Sequence, residues 1–169
     1  MAGCTRRVPD RLILMRHAKS DYPAGVADHD RPLNARGRRD AKVAGEWLAD
    51  HAGRLVRGEV SVLVSSAERA QQTWAIAGTG LPARVTTEPR IYEASVSTII
   101  DLAAAQDSGT VLIVGHNPTL EQCVRHLAAL EDDVVMKTCA IAVLECDDGG
   151  SWGSGSAELS ELHIPRADR

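Results

Sequence analysis

The sequence predicts an α/β fold: a single-domain three-layer α/β/α sandwich with a mostly parallel central sheet and an antiparallel C-terminal edge hairpin. Three short apolar runs, at 12–15, 60–64 and 110–114, each lead directly into a polar turn. Runs of this length fit strands that are covered on both faces, as in a parallel sheet. A helical pattern follows each run, and this alternation is typical of βαβ units. Further on, two strand-like segments are joined by the Gly- and Ser-rich residues 147–156, which predicts the hairpin.

The composition is that of one ordinary globular domain. A chain of 169 residues, 44% of them hydrophobic, can bury a full core, so we expect one domain over 1–169 with its core at about 11–164. No run approaches the length of a transmembrane helix, and the N-terminus lacks the apolar segment of a signal peptide. The four cysteines form no CxxC pair, so we expect reduced thiols. These features predict a cytoplasmic protein with no membrane partner, and we expect a monomer.

The charges of the chain are unevenly distributed. A net charge of −4 gives no reason to expect a nucleic-acid partner. Residues 1–60 nevertheless contain 12 of the 19 Lys and Arg residues, whereas 15 of the 23 Asp and Glu residues follow residue 60. Either the first strand and helix carry a positive field that attracts anionic ligands, or the basic residues of that helix lie on an ordinary solvated face.

The first strand is followed by a charged loop and a long helix. Residues 22–32 have an Asp-His-Asp-Arg centre and adjoin the first strand in sequence. We expect them to form either a lip of a site or an ordinary surface loop. Asn34 is a suitable N-cap for a helix over 35–51, which Gly53 would close.

The later elements follow the same order of strand, polar cap and helix. Ser65 and Ser66 can cap the helix after the second strand. Asn117 can cap the helix after the third buried strand, where Pro118 suits the first helical position. The remaining predicted elements are helices at 67–74, 98–106 and about 118–130, and strands at 83–87, 139–146 and 157–164.

Polar side chains stand at the carboxyl ends of the three buried strands. Arg16 and His17 follow the first strand. Ser65 follows the second, with Arg69 one helical turn later, and His116 follows the third. Carboxyl ends of parallel strands meet at one edge of a sheet, so these groups should face one crevice. Guanidinium groups and helix N-termini match phosphate oxygens, which predicts a site for a phosphoryl group.

A histidine in such a site can react as well as bind. A neutral imidazole is a nucleophile toward phosphorus when its other nitrogen keeps a proton. Attack by His17 would form a phosphohistidine that water hydrolyses, while the arginines and a protonated His116 stabilise charge on the equatorial oxygens. The carboxylates do not gather into a ligand set with these histidines, so a two-metal phosphatase is disfavoured. Cys123 and His126 are one helical turn apart, but two ligands do not make a metal site.

Three motifs in this chain resemble those of the histidine phosphatase superfamily. They are Arg-His-Ala at 16–18, Ser-Ser-Ala-Glu-Arg-Ala-Gln-Gln-Thr at 65–73 and Gly-His at 115–116, and the resemblance spans about 11–145. The Met-Arg-His-Ala-Lys-Ser opening and the Gly-His-Asn-Pro block are most similar to the short SixA-type branch. That branch is associated with the dephosphorylation of protein phosphohistidine.

The resemblance implies a phosphoglycerate mutase-like fold, no cofactor and no metal. It also implies that His17 is the phosphorylated nucleophile. The phosphate pocket that it implies consists of Arg16, Arg69 and His116, with Ser20 and Asn117 as peripheral substrate contacts.

Two positions depart from the family pattern. Ala18 stands where many relatives have Gly, a small change that should leave the turn intact. Asn117 follows the second histidine, where the acid-phosphatase branch has the Asp that donates a proton. Glu93 is the substitute acid that we consider, because it follows a short strand at a place where other branches carry a glutamate. It can equally be a surface carboxylate.

These observations predict a metal-independent phosphatase that acts on phosphohistidine in proteins. The imidazole of a phosphohistidine leaves more easily than an alkoxide and depends less on a general acid. A site in which no general acid is assigned therefore suits a phosphohistidine substrate. The chain also has no insertion long enough to form an enclosing cap. A phosphatase or mutase of small phosphate esters is the alternative within the enzyme class, and a non-catalytic phosphate-recognition module is the alternative outside it.

Overall fold

A six-stranded sheet flanked by four helices forms the structure. The computed structural model describes residues 9–146 and 151–167. The strands are β1 (Arg11–Arg16), β2 (Val60–Ser65), β3 (Arg84–Glu88), β4 (Thr110–Gly115), β5 (Ile141–Cys146) and β6 (Ala157–His163). The helices are α1 (Ala35–Leu55), α2 (Glu68–Ala77), α3 (Val96–Ala104) and α4 (Thr119–Ala128).

The strand order of the sheet is β3-β2-β4-β1-β5-β6. The β3–β2, β2–β4 and β4–β1 pairs are parallel, whereas β5 is antiparallel to β1 and to the edge strand β6. Arg16 lies opposite Gly115, which places the carboxyl ends of β1 and β4 at the same edge of the sheet. The polar groups that follow β1, β2 and β4 are therefore brought together, as the sequence predicted.

Each face of the sheet is covered by two helices. Ile13 and Met15 of β1 pack with residues of α1 and α2. Leu12 and Leu14 point to the other face and pack with residues of α3 and α4. All four side chains are at most 1% exposed, and each contributes about 1.5–3 kcal/mol by leaving water. The predicted three-layer α/β/α arrangement with an antiparallel edge hairpin is confirmed.

Helix α1 is longer than the sequence predicted. It continues through Gly53 to Leu55, so the expected end at 51 is wrong. Leu55 is buried in the core, and the carbonyl of Arg54 accepts a hydrogen bond from the Arg11 side chain. These tertiary contacts stabilise the last helical turn, although a glycine such as Gly53 favours the end of a helix. At the other end, the Asn34 side chain accepts from Gly37 N at 2.8 Å, which confirms the predicted cap.

The predicted side-chain caps of α2 and α4 are wrong. Helix α2 has Ala67 as its N-cap and α4 has Pro118, and neither makes a side-chain capping bond. Ser65 and Asn117 instead hydrogen-bond to groups of the functional site described below. In α3 the cap is Ser95, whose hydroxyl accepts from the amide of Thr98 at 3.2 Å, and the helix begins at Val96 instead of 98.

Other predicted boundaries shift by a few residues. Strand β5 begins at Ile141, not at 139. Cys139 has a φ of 68°, which lies outside the extended region that strand residues adopt. Helix α4 ends at Ala128, two residues before the expected end. Of the hairpin loop, residues 147–150 lie outside the described residues. Cys4 does too.

Three cysteines of the described chain, Cys123, Cys139 and Cys146, are buried. Burial raises the pKa of both the Cys123 and Cys139 thiols to about 12, which keeps them protonated at neutral pH. Within 9–146 and 151–167, no set of three or more His, Cys, Asp or Glu residues is placed to hold a metal ion. None of the described helices is long and apolar enough to span a membrane.

Candidate active site

A cationic cavity of about 200 Å³ opens at the carboxyl ends of β1, β2 and β4. Four of the residues that line it carry a permanent positive charge: Arg16, Lys19, Arg31 and Arg69. The other lining residues are His17, Ser20, Tyr22, His116, Asn117 and Thr138. None of these described lining residues is a carboxylate, so the cavity attracts anions.

A larger cavity of about 660 Å³ adjoins the amino ends of β2 and β3. Its lining is mostly aliphatic and includes Val56, Val60 and Leu81. No histidine or cysteine is among the described residues that line it, whereas His17 and His116 line the smaller cavity.

His17 follows β1 and is held in one tautomer. Its Nδ1 donates a hydrogen bond to the carbonyl of Ala18 at 2.7 Å, so Nδ1 carries the proton and Nε2 keeps a lone pair. The residue is 8% exposed, and this burial lowers the pKa of the ring to about 3. The neighbouring His116, Arg69 and Arg16 lower it further. The structure therefore places His17 at the end of β1 as a buried, neutral ring.

Arg69 touches the reactive nitrogen of His17. Its Nε donates to His17 Nε2 at 3.2 Å. Thr73, one turn further along α2, links the two segments: its hydroxyl donates to the carbonyl of Arg69 at 2.7 Å and accepts from the amide of Ala18 at 2.9 Å. Helix α2 thus fixes Arg69 against the turn that carries His17.

His116 follows β4 and lies beside His17. The two ring centroids are 5.2 Å apart. Its Nε2 is 2.7 Å from the hydroxyl of Ser65 at the end of β2, and this contact orients the ring. Burial, assisted by the charge of Arg69, lowers the pKa of His116 to about 4. The His116 ring is therefore neutral at pH 7 in the unliganded protein, and its protonation in the transition states stays a prediction.

Arg16 and Asn117 share an acceptor. Arg16 Nη1 donates to the carbonyl of Met136 at 2.8 Å, and Asn117 Nδ2 donates to the same oxygen at 3.0 Å. Asn117 Nδ2 also donates to Glu121 Oε1 at 2.7 Å, so its side chain is committed to α4 and the 136 segment. Burial lowers the pKa of Arg16, with the charge of Glu121 opposing that shift. Among the described residues, Arg16 Nε has no hydrogen-bond partner.

The loop at 22–32 borders the cavity. Of the two predictions for this loop, the structure agrees with a lip of the site and not with an ordinary surface loop. Arg31 Nη1 donates to the hydroxyl of Ser20 at 2.8 Å, and its guanidinium lies 4.0 Å from the Tyr22 ring centroid. Ser20 thus lies in the wall of the cavity, but its hydroxyl already accepts a hydrogen bond from Arg31. The side chain of Arg31 is 11% exposed, so it is a fixed part of this wall.

Asp28, Arg31 and Tyr92 are site residues to which the sequence assigned no individual role. Asp28 contacts Arg69 through both its carbonyl and its carboxylate, and the hydroxyl of Tyr92 donates to that carboxylate at 2.8 Å. The dense charge of residues 28–31 beside the first motif was the available signal.

Glu93 lies apart from these groups. It is exposed, with a φ of 59°, and it is not among the described residues that line the cavity. Its neighbour Tyr92 is closer to the site, since the Tyr92 ring centroid is 5.7 Å from that of His116. A role for Glu93 as an acid stays a prediction.

Comparison with known families identifies this arrangement. The sequence model of the histidine phosphatase superfamily (branch 1) matches residues 12–99, which include His17 and Arg69. The chain belongs to the histidine phosphatase superfamily. This protein is therefore a phosphatase, a hydrolase of phosphoric groups, and the resemblance seen in the sequence motifs is confirmed.

Individual relatives place this histidine phosphatase near SixA proteins. It is 40% identical to the uncharacterized protein Rv1276c of Mycobacterium tuberculosis, over 90% of this chain and all of that one. It is 26% identical to the phosphohistidine phosphatase SixA of Escherichia coli, over 93% of this chain and 98% of that one. A solved structure of the protein histidine phosphatase SixA complexed with tungstate superposes with a TM-score of 0.76 at 26% identity, covering 92% of this chain and 97% of that one.

We expect the His17 and His116 rings of this histidine phosphatase to stay neutral at pH 5.5. Histidines in the unfolded chain titrate near pH 6.5, whereas burial lowers the folded values to about 3 and about 4. Between pH 6.5 and 4 the unfolded chain binds more protons, so folding stability should fall as the pH decreases. Long-range ¹H–¹⁵N spectra should show His17 with Nδ1 protonated and Nε2 bare. A His17 ring that titrates near 6.5, or carries its proton on Nε2, would contradict this.

Proposed function

We propose that this histidine phosphatase removes phosphoryl groups from phosphohistidine in proteins, without a metal, through a phosphohistidine intermediate on His17. The observation that carries the proposal is the state of His17. Its Nδ1 proton is held by Ala18, and its bare Nε2 lies in a cavity with permanent cations. This combination supplies a neutral nucleophile and a binding site for a phosphoryl dianion at neutral pH.

In the proposed first step, His17 Nε2 releases its hydrogen bond from Arg69 Nε and attacks phosphorus in line with the leaving group. The new N–P bond forms as the bond between phosphorus and the leaving nitrogen or oxygen breaks. Arg16 and Arg69 hold the equatorial oxygens, which carry the charge of the transition state. His116 enters this step neutral, and a bound dianion would raise its pKa toward the protonated, donating form.

In the second step, water attacks the phosphorylated His17. A P–O bond to the water oxygen forms as the N–P bond breaks, inorganic phosphate leaves with the protons of that water, and Nε2 regains its lone pair. The same guanidinium groups serve both transition states because the equatorial oxygens occupy the same positions in each. Each step needs charge stabilisation more than proton transfer when the leaving group is an imidazole.

The site suits a leaving group that needs no proton from an acid, which favours phosphohistidine over alkyl esters as the substrate. Asp28 is the carboxylate that contacts Arg69, and hydrogen bonding from Tyr92 lowers its pKa to about 2. A group that is ionised at neutral pH cannot donate the proton that a departing alkoxide requires. Support also comes from the SixA relatives, one of which was solved with tungstate, a tetrahedral oxyanion like phosphate. A phosphatase or mutase of small phosphate esters is the alternative, and a recognition module without turnover is a second one.

We expect phosphohistidine to be hydrolysed faster than alkyl phosphates. A positioned general acid contributes about 10²–10⁴-fold, and alkyl esters would lack that contribution here. The measurement is turnover of a phosphohistidine-bearing protein domain, an aryl phosphate and several alkyl phosphates, with a chelator present. Glu93→Gln in the same panel tests the predicted acid: it should slow alkyl phosphates far more than aryl phosphate if Glu93 donates the proton.

The other outcomes of this panel separate the alternatives. Preference for one alkyl ester would make the protein a metabolic phosphatase. A long-lived phosphoenzyme that transfers to an acceptor would indicate a mutase. Retained phosphopeptide binding without turnover would indicate the recognition module. A phosphorylated protein as partner, the monomeric state, the single-domain organisation and a cytoplasmic location are further parts of the proposal.

A further inference from the structure

We propose that Asp28 is a positioning residue that aims Arg69 at the reacting phosphoryl group. This inference rests on the proposed function, because it assigns Asp28 a role in the same phosphoryl transfer. The three nitrogens of the Arg69 guanidinium all have partners. Nε donates to His17, Nη1 donates to the carbonyl of Asp28 at 2.7 Å, and Nη2 donates to its carboxylate at 3.2 Å.

These contacts leave part of the guanidinium for a substrate. A guanidinium has five N–H donors, and three of them are used by His17 and Asp28. The remaining two, one on each terminal nitrogen, can bind phosphoryl oxygens. Because Asp28 holds the fork at two nitrogens, its plane and direction are set before the phosphoryl group arrives. Donors that are oriented in advance stabilise the transition state without a cost of reorganisation.

Asp28 is itself held by partners from other segments. Its carboxylate accepts from the Tyr92 hydroxyl at 2.8 Å and from Arg31 Nε at 3.0 Å. Tyr92 follows the turn after β3, whereas Arg31 ends the loop that borders the cavity. The carboxylate therefore has a fixed position although its side chain is 58% exposed. The exposed carboxylate of Asp28 thus has three partners, Arg69, Arg31 and Tyr92. They hold it against the buried guanidinium of Arg69, so its role extends beyond fixing the loop.

The test compares Asp28→Asn with Asp30→Asn. Asp30 lies in the same turn, is exposed and pairs with His29, so it is a matched control. The main-chain contact of residue 28 to Arg69 survives in both variants, so Asp28→Asn tests the carboxylate alone. We expect Asp28→Asn to lower kcat for an aryl phosphate about 10- to 100-fold, with a smaller change in KM. Asp30→Asn should match the wild type, and Tyr92→Phe should show a smaller loss than Asp28→Asn.

Binding of two anions distinguishes positioning from a structural role. Vanadate adopts the trigonal bipyramidal geometry of the transition state, whereas inorganic phosphate resembles the ground state. Asp28→Asn should weaken vanadate binding in parallel with kcat/KM and weaken phosphate binding less. The shape of the pH profile should not change, because Asp28 donates no proton in this role. Equal loss of affinity for both anions, activity equal to that of Asp30→Asn, or a lost limb of the pH profile would overturn the inference.

The same binding experiment separates this inference from the proposed function. A wild-type protein without turnover on any phosphate substrate would defeat the proposed function. Calorimetric titration with vanadate would still decide the role of Asp28: selective weakening in Asp28→Asn supports it, and unchanged vanadate affinity overturns it.

Discussion

Replacing His17 by alanine is expected to abolish phosphoenzyme formation and to lower turnover on the order of 10⁴- to 10⁶-fold. The reason is that no other described residue that lines the cavity offers an equivalent nucleophile. His116 is the neighbouring imidazole, but its Nε2 faces the hydroxyl of Ser65. Enzyme incubated with ³²P-labelled aryl phosphate and quenched in alkaline detergent, in which the N–P bond of phosphohistidine is stable, should retain label in the wild type and none in His17→Ala.

The control for His17→Ala must separate lost chemistry from lost folding. His17 is buried, so alanine leaves an unfilled volume, and His17→Asn provides a second variant that keeps a polar side chain. His126 is exposed on α4 and is outside the cavity lining, so His126→Ala should retain wild-type turnover. Thermal unfolding checks that all three fold. Substantial turnover in folded His17→Ala or His17→Asn would disprove the proposed mechanism.

Replacing Arg69 by alanine is expected to lower kcat/KM by about 10²–10³-fold or more. Arg69 is 5% exposed and combines contact with His17 Nε2 with free donors for the phosphoryl oxygens. Its removal also takes one of three partners from the carboxylate of Asp28, which keeps Arg31 and Tyr92, and so alters the local charge. The measurement is steady-state kinetics with the aryl phosphate.

Two further variants sharpen the Arg69 result. Arg69→Lys keeps the charge but loses the planar fork, so it should restore only a small part of the activity. Arg90 is an exposed arginine that pairs with Glu88 outside the cavity, so Arg90→Ala should leave activity unchanged. If Arg69→Lys matched the wild type, net charge would suffice and the geometry of the guanidinium would not matter.

Several features of the site followed from short-range sequence patterns. Apolar runs followed by polar turns predicted β1, β2 and β4 to within two residues. Parallel pairing then required Arg16, His17, Arg69 and His116 to meet at one edge of the sheet. These patterns suffice because strand burial and helix periodicity depend on neighbours in the chain.

The wrongly predicted helix ends involve residues that have two competing interactions. Ser65 and Asn117 are good helix caps by type, but tertiary folding offered them His116 and the carbonyl of Met136. Gly53 is a good helix end by type, but burial of Leu55 extended α1 past it. Local preferences of this size, about 1 kcal/mol, are smaller than the gain from burial or from satisfying a buried polar atom.

The sequence by itself determined the layered fold, the family and four of the residues gathered at the cavity, Arg16, His17, Arg69 and His116. Only the tertiary structure decided their chemical state. The contact between Asp28 and Arg69 spans 41 residues, and that between Asp28 and Tyr92 spans 64, so no local pattern could predict either. The neutral rings of His17 and His116 likewise result from burial, which lowers their pKa values to about 3 and about 4. Desolvation and hydrogen bonding act through distances in space, and those exist only once the chain has folded.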